Sequence, residues 1–405
     1  MKKLLQVGLG IVTSVGGFLE IGSIATAAEA GAAFRYQLLW AVLLGTICIL
    51  LLVEMSGRFA AVAQHTIPDA MRARFGFHFF LVPLVLVLLV SLLVLASEIG
   101  GICIALELMT GIHFPWWAVP AALASWALLW YGTFGLIENG VSLLGLLAVV
   151  FVVAAVKLGP DYHSAASALV PTLPRSQPSR YWFLAVSIIG ASVSPSLFYF
   201  YGSGAIEEKW DASYLGANRA IATLGMGFGG FLSMAVLVAA ALVFAPRSIQ
   251  VEQYQQLPQL LTTPLGRWGF WLFAVTLLIT CLGATLEISL ALAYQVAQGF
   301  GWNWGEDHRP GGDARFSLTF SLVLLAAMPL MLVGIDPLKL TMLSMALTSA
   351  SLPVAILPFL VLMNDREYLG EHTNRHAGNI AVLLISVLAS VLAIVSIPLE
   401  IFGGS

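Results

Sequence analysis

The chain has 405 residues, of which 59% are hydrophobic and only 10% are charged, and its mean hydropathy is +0.93. A soluble core of this size would need far more charge on its surface, so the composition excludes a soluble globular protein and predicts an all-α integral membrane protein. The net charge of −3 is too small to indicate nucleic acid as a partner. Cys48, Cys103 and Cys281 are widely spaced inside apolar runs, so we interpret them as buried side chains rather than as disulfides or metal ligands.

A membrane-spanning helix needs about 20 predominantly apolar residues, and this criterion predicts about eleven segments. In chain order, segments one to eleven are Val7–Phe34, Gln37–Val62, Phe79–Leu108, Trp116–Gly135, Val141–Lys157, Trp182–Ser203, Ala220–Ala245, Trp268–Ala297, Phe316–Val333, Leu338–Met363 and Asn379–Ile401. The first segment also resembles a secretory signal, because a basic start and an apolar run precede small residues. Glu20 interrupts that run, which favours a retained span.

The distribution of positive charge predicts the orientation in the membrane. With the N-terminus inside, eleven of the 18 lysines and arginines fall in inner loops, namely Lys2, Lys3, Arg58, Arg72, Arg74, Lys209, Arg219, Arg309, Arg315, Arg366 and Arg375. Cytoplasmic loops carry an excess of these residues. We therefore expect a multi-pass protein of the cell (inner) membrane with a cytoplasmic N-terminus.

Two segments carry polar or helix-breaking residues at membrane depth. In segment one, the carboxylate of Glu20 precedes Gly22 and Ser23; in segment six, Pro195 lies among serines in the run GASVSPS from Gly190. A charge at this depth is costly and usually faces a protein interior or a water-filled cavity. Interrupted helices at equivalent positions of two halves indicate a binding site at the midplane of a transporter. A simple proline kink and a glycine–serine helix contact remain the alternative.

Four runs of the sequence are similar to the NRAMP family of divalent metal transporters. They are EIGSIATAAEAG from Glu20, EIGGICIAL from Glu98, IIGASVSPSLFY from Ile188, and SLPVAILPF followed by NDREYLG from Ser351. The resemblance extends from about Gly8 to about Arg375 and implies the family's LeuT-type fold of two inverted five-helix repeats with discontinuous helices one and six. It places the first repeat at residues 7–158, the second at 182–363 and a peripheral helix at 379–401, within a single transporter domain.

The chain departs from the family at the residues that the resemblance places on the metal. The family's aspartate and asparagine of segment one and methionine of segment six are here Glu20, Ser23 and Ser194, and the histidine of the family's Met-Pro-His run is Ser196. A glutamine of segment ten is replaced by Met345, whereas the glutamate of segment three is retained as Glu98. Ser194 replaces the methionine thioether of the family. This loss favours a hard cation, because carboxylate, hydroxyl and carbonyl oxygens suit magnesium, calcium or manganese.

We therefore predict a secondary transporter for a hard or hydrated cation such as magnesium or manganese, with proton coupling. The predicted substrate-binding residues are Glu20, Gly22, Ser23, Ser192, Val193, Ser194, Ser196 and Glu287. Glu20, Ser23 and Ser194 are the predicted metal ligands, and Glu98 with Glu20 is predicted to carry the coupled proton. The acidic residues within spans favour a positive solute, because an anion would meet uncompensated repulsion.

Two other functions stay open on the sequence alone. The same scaffold could carry a small organic solute, such as an amine or amino acid, or act as a sensor that does not transport. No phosphate-binding loop, zinc-protease helix or nucleophile elbow occurs in the sequence, so we expect neither an enzyme nor a cofactor. We expect Glu54 to pair with Arg58 one helical turn away, near the membrane surface.

Overall fold

The computed structural model describes residues 20–132, 146–174, 176–305 and 314–402. Within these ranges every regular element is a helix, which confirms the all-α prediction. Eight helices or helix pairs are long and apolar enough to cross a membrane: Leu39–Ala63, Phe77–Thr110, Pro178–Glu207, Ala212–Arg247, Arg267–Phe300, Ala314–Leu332, Pro337–Met363 and His376–Leu399. They correspond to segments two, three and six to eleven.

The remaining predicted segments are shorter in the structure. The described part of segment one is a helix from Ile21 to Phe34; segment four is a 3₁₀ turn, Phe114–Trp117, followed by a helix, Ala118–Tyr131; and segment five ends in a helix from Val149 to Lys157. Residues 7–19, 133–135 and 141–145 of these predicted segments lie outside the described residues. Apolar helices therefore occur at all eleven predicted places.

Segment three lies at the centre of the packing. It contacts segment eight along much of its length and also packs against segments nine and ten. Segment one packs against segment seven, and segment six packs between segments two and ten. The two segments with polar interruptions are thus enclosed by other helices, which is where non-helical backbone is tolerated at membrane depth.

Segment six is broken as its proline predicts. One helix runs from Pro178 to Ser192, and a second begins at Pro195. Between them, Val193 (φ −117°, ψ 83°) and Ser194 (φ −88°, ψ 121°) leave the helical conformation. A proline disfavours helical geometry in the residue before it and lacks an N–H group, so Pro195 ends the first helix and suits the first turn of the second.

Segment one has an equally abrupt helix start at the residue that the sequence singled out. Glu20 is extended, with φ −105° and ψ 174°, and the helix begins at Ile21. The first N–H groups of a helix have no partner within that helix, and the side chain of Glu20 does not cap them. Another part of the protein supplies the cap, as described below.

Candidate functional site

The carboxylate of Glu98 caps the helix of segment one. The backbone N–H of Ile21 donates to Oε1 and Oε2 of Glu98, at 3.2 and 3.4 Å. Glu98 has no solvent exposure and lies in the middle of segment three. The predicted proton-carrying residue therefore contacts the helix start that follows Glu20. Its neighbour Ser97 bonds instead to the carbonyl of Leu93.

Three acidic side chains are close enough to interact in this region. Glu20 is buried, with 6% exposure, and interacts electrostatically with Glu287 of segment eight; Glu98 interacts with both. Glu287 is partly buried. In the described part of the chain, no lysine or arginine forms an ion pair with Glu20 or Glu98. The region therefore concentrates acidic groups whose negative charge, when they are ionised, a cation can neutralise.

Cys281 is a member of this site that the sequence analysis missed. Its thiol interacts electrostatically with the Glu98 carboxyl group, and its sulfur also lies beside Gly101. The sequence carries no signal for this contact, because Cys281 lies in an apolar run like the other two cysteines. Cys281 therefore belongs to the acidic site and is more than an apolar side chain.

A hydrogen bond connects segment one to segment six. The hydroxyl of Ser23 donates to the carbonyl of Ala191 at 3.4 Å, two residues before Val193 at the break in segment six. Two hydroxyls bond within their own helices: Thr26 donates to the carbonyl of Gly22, and Ser192 to that of Ile188. The carbonyl of Gly22, one of the predicted substrate-binding residues, thus already accepts one hydroxyl.

Several hydroxyl groups lie together immediately after Val193, at the start of the second helix of segment six. Ser194 and Ser196 lie 2.7 Å apart through their hydroxyl oxygens, and Ser196 is buried whereas Ser194 is half-buried. Together with Ser91, Thr348 and Ser351 they line a cavity of ≈ 10 Å³ between segments three, six and ten. That volume is close to the minimum for one water molecule, and its polar lining suits water.

Met345 of segment ten packs against segments one and six. A Cβ atom added to Gly22 would overlap the terminal methyl of Met345, and one added to Gly190 would overlap its carbonyl oxygen. Met345 is 1% exposed. The absence of a side chain at these two glycines therefore allows segment ten to approach segments one and six closely.

The predicted ligands do not form a ready-made metal cluster. Among the described residues, no group of three or more His, Cys, Asp or Glu side chains is placed to hold one ion. The structure thus brings the carboxyl groups of Glu20 and Glu287 and the hydroxyl of Ser23 to one region. Ser192 and Val193 lie at the segment-six break. A cation here would need backbone carbonyls, hydroxyls or water in addition to a carboxylate.

Comparison with known proteins identifies the family. Residues 10–398 match the model of the Nramp family, described as natural resistance-associated macrophage protein-like. The chain belongs to the Nramp family. It is 26% identical over 393 residues to the divalent metal cation transporter MntH of Deinococcus radiodurans, covering 94% of this chain and 86% of that protein. It is 28% identical over 419 residues to MntH of Bradyrhizobium diazoefficiens, covering 96% and 90%.

Solved structures show the same fold for this Nramp chain. A manganese transporter of Eremococcus coleocola superposes with a TM-score of 0.81 at 18% identity, covering 98% of this chain and 88% of that one. The transporter MhsT, solved in complex with L-phenylalanine, superposes with a TM-score of 0.61 at 14% identity, covering 96% and 97%. These matches confirm the predicted LeuT-type fold, and the transporter names of the relatives support the prediction that the chain is not an enzyme.

Proposed function

We propose that this Nramp-family protein is a secondary transporter of a hard or hydrated divalent cation, of the magnesium or manganese type. The observation that carries the proposal is that Glu20 is buried at the start of the helix Ile21–Phe34, beside Glu98 and Glu287, and forms no ion pair with a basic side chain of the described residues. The relatives, a divalent metal cation transporter and a manganese transporter, agree with a cationic cargo.

The ligand types favour a hard cation. Glu20, Ser23 and Ser194 offer a carboxylate and two hydroxyls, and the break around Val193 brings non-helical backbone into the same region. Oxygen ligands of this kind suit magnesium or manganese, and magnesium in particular keeps part of its water shell. The site would then complete the coordination with backbone carbonyls or retained water.

The small cavity at the segment-six break argues against an organic cargo there in the conformation seen. The cavity beside Ser194 and Ser196 measures ≈ 10 Å³. Small-molecule sites enclose roughly 300–1,000 Å³, so an amine or amino acid would require segments three, six and ten to separate. An ion with a few water molecules requires a much smaller rearrangement. For this reason we place the organic carrier second.

We further propose that protons compete with the cation for the Glu20–Glu98 pair. Both side chains are buried and interact with one another, so uptake of a positive charge by either lowers the cost of the remaining negative charge. Alternating access would involve one bundle moving around the two broken helices, with residues 7–158 and 182–363 as the two repeats, in the inner membrane and with the N-terminus in the cytoplasm.

Ligand-dependent thermal unfolding of the purified protein tests the proposal. A ligand that binds only the folded state at 100 times its Kd stabilises it by about 2.7 kcal/mol. We expect Mg²⁺ or Mn²⁺ to raise the Tm of the wild type and of Glu252→Gln, whose carboxylate is exposed in a loop, but not that of Glu20→Gln. An ethylammonium response that depends on Glu20 would instead support the organic carrier. An unchanged metal response in Glu20→Gln would contradict the site.

A measurement of metal-ion uptake distinguishes a carrier from a sensor that binds the ion without transporting it. Proteoliposomes loaded with a metal-sensitive dye should show wild-type uptake of the stabilising ion and a large loss in Glu20→Gln. Binding without uptake in any orientation of the gradient would support the sensor.

A further inference from the structure

A second candidate site lies at one membrane surface, and its lining includes no residue of segments one or six. The ends of segments ten and eleven and the short helix Ile67–Phe75 enclose a groove of ≈ 600 Å³. Its lining combines apolar residues with charged and amide side chains, arranged along the direction of the spans. The function proposed above makes no use of this groove.

The apolar part of the groove lies at lipid depth. Leu357 and Val361 of segment ten are 43% and 49% exposed, and Leu383 of segment eleven is 39% exposed. Leu357 precedes the end of its helix at Met363 by six residues, which corresponds to about 9 Å at 1.5 Å per residue. Exposed apolar side chains at this depth in a span are covered by acyl chains.

The polar part of the groove lies directly beyond the helix end. Arg366, Arg74 and Asp365 line it, and Arg74 pairs with Asp365 at 2.9 Å. Arg366 is exposed, and none of the ion pairs in the described residues includes it. With two arginines against one aspartate, the lining carries an excess positive charge, and Arg366 is the cation available to a ligand.

Two amide side chains complete the polar end. Asn379 donates to the side-chain oxygen of Asn364 at 2.7 Å, and Asn364 donates to the carbonyl of Leu360 at 2.6 Å. This chain of hydrogen bonds ties the start of segment eleven to the end of segment ten. The headgroup end of the groove is therefore held in a fixed shape rather than formed by isolated surface side chains.

We propose that this groove binds one anionic phospholipid, with its phosphate at Arg366 and one acyl chain along Leu357, Val361 and Leu383. The charge excess recognises the phosphate, and the apolar wall recognises the chain; neither feature alone specifies this ligand. Basic pockets between membrane helices are suited to anionic headgroups, and arginine pairs well with phosphate. The phospholipid would fasten segment eleven to segment ten at this surface.

Native mass spectrometry of the purified protein with phosphatidylglycerol or phosphatidylcholine tests the inference. We expect the wild type to retain phosphatidylglycerol in preference to phosphatidylcholine and Arg366→Gln to bind phosphatidylglycerol roughly tenfold more weakly, the size expected for one charge-assisted contact. Arg375→Gln is the matched control, because Arg375 is also exposed, lies in the same connection and does not line the groove. Arg74 is unsuitable, since its removal would leave Asp365 without its partner.

Three results would overturn the inference. Equal retention of the two lipids by the wild type would remove the headgroup preference, and equal losses in the Arg366 and Arg375 variants would indicate diffuse attraction to positive charge. Competition by glycerol 1-phosphate as strong as that by phosphatidylglycerol would show that the acyl chain contributes nothing. The Tm of Arg366→Gln in phosphatidylcholine should equal that of the wild type, which shows that the variant is folded.

Discussion

The backbone N–H of Ile21 donates to both carboxylate oxygens of Glu98, two residues that lie 77 positions apart in the chain. This contact joins the helix start of segment one to the middle of segment three. Glu20, the proposed cation ligand, is the residue immediately before that N–H group. A change of charge on Glu98 therefore alters its hydrogen bond to the backbone that positions Glu20. This contact physically links proton binding at Glu98 to cation binding at Glu20.

The first prediction concerns Glu98→Gln. Glutamine keeps one side-chain oxygen to accept from Ile21, so the variant should fold and bind the cation, but it cannot take up a proton. In the wild type, acid should weaken cation binding, because protons compete for the same negative charge. We expect the metal-dependent increase in Tm to fall as the pH is lowered in the wild type and to depend much less on pH in Glu98→Gln.

Glu252→Gln serves as the control for this experiment, since its exposed carboxylate is outside the site. It should keep the pH dependence of the wild type. A full wild-type pH dependence in Glu98→Gln would show that another group carries the proton.

The second prediction uses two of the three cysteines as a matched pair. The thiol of Cys281 interacts with the carboxyl group of Glu98, whereas Cys48 is buried elsewhere. Cys281→Ala removes this polar neighbour of the carboxyl group and leaves the N–H of Ile21 in place. We expect the midpoint of the pH dependence of metal stabilisation to move in Cys281→Ala and to stay in Cys48→Ala. Equal midpoints in the wild type, Cys281→Ala and Cys48→Ala would mean that the thiol of Cys281 does not affect the acidic site.

The third prediction concerns Arg58, whose predicted pairing with Glu54 is confirmed at 3.0 Å. The guanidinium also donates to the carbonyl of His372 and the side chain of Asn374, both at 2.6 Å, and so ties segment two to the loop before segment eleven. Arg58→Gln should reduce the free energy of unfolding by about 1.5–3 kcal/mol, the range for hydrogen bonds to charged groups.

Arg58→Lys tests whether charge alone is sufficient. Lysine keeps the positive charge but lacks the planar fork that reaches several acceptors, so it should recover only part of the loss. Equal Tm values for Arg58→Lys and the wild type would assign the effect to the ion pair with Glu54 alone.

The sequence predicted those features that depend on local chemistry. Pro195 disfavours helix in the preceding residue and so locates the break of segment six, and the run of apolar residues locates segment three to within a few residues of Phe77–Thr110. The cost of a charge at membrane depth correctly indicated that Glu20 is buried.

The contacts between segments could not be predicted in the same way. Segments three and ten are apolar around most of their circumference, so hydropathy does not indicate which face meets which neighbour. The rotation of each helix about its own axis is set by packing over the whole bundle. It determines the contacts of Glu98 with Ile21, of Glu98 with Cys281 and of Gly22 with Met345. These are the contacts that build the candidate site.

The last prediction distinguishes two glycines that face the same residue. A Cβ on Gly22 would overlap the terminal methyl of Met345, a flexible group that can turn away, whereas a Cβ on Gly190 would overlap the carbonyl oxygen, which moves only with the helix. Overpacking a close-packed core costs about 1–3 kcal/mol. We expect Gly190→Ala to lower the Tm more than Gly22→Ala, and combination with Met345→Ala to relieve the clash in the Gly22 variant but not in the Gly190 variant. The coupling between each pair of substitutions measures how far Met345→Ala relieves the clash. If Met345→Ala restored the Tm of both glycine variants, the Met345 side chain alone would determine how closely segment ten approaches segments one and six.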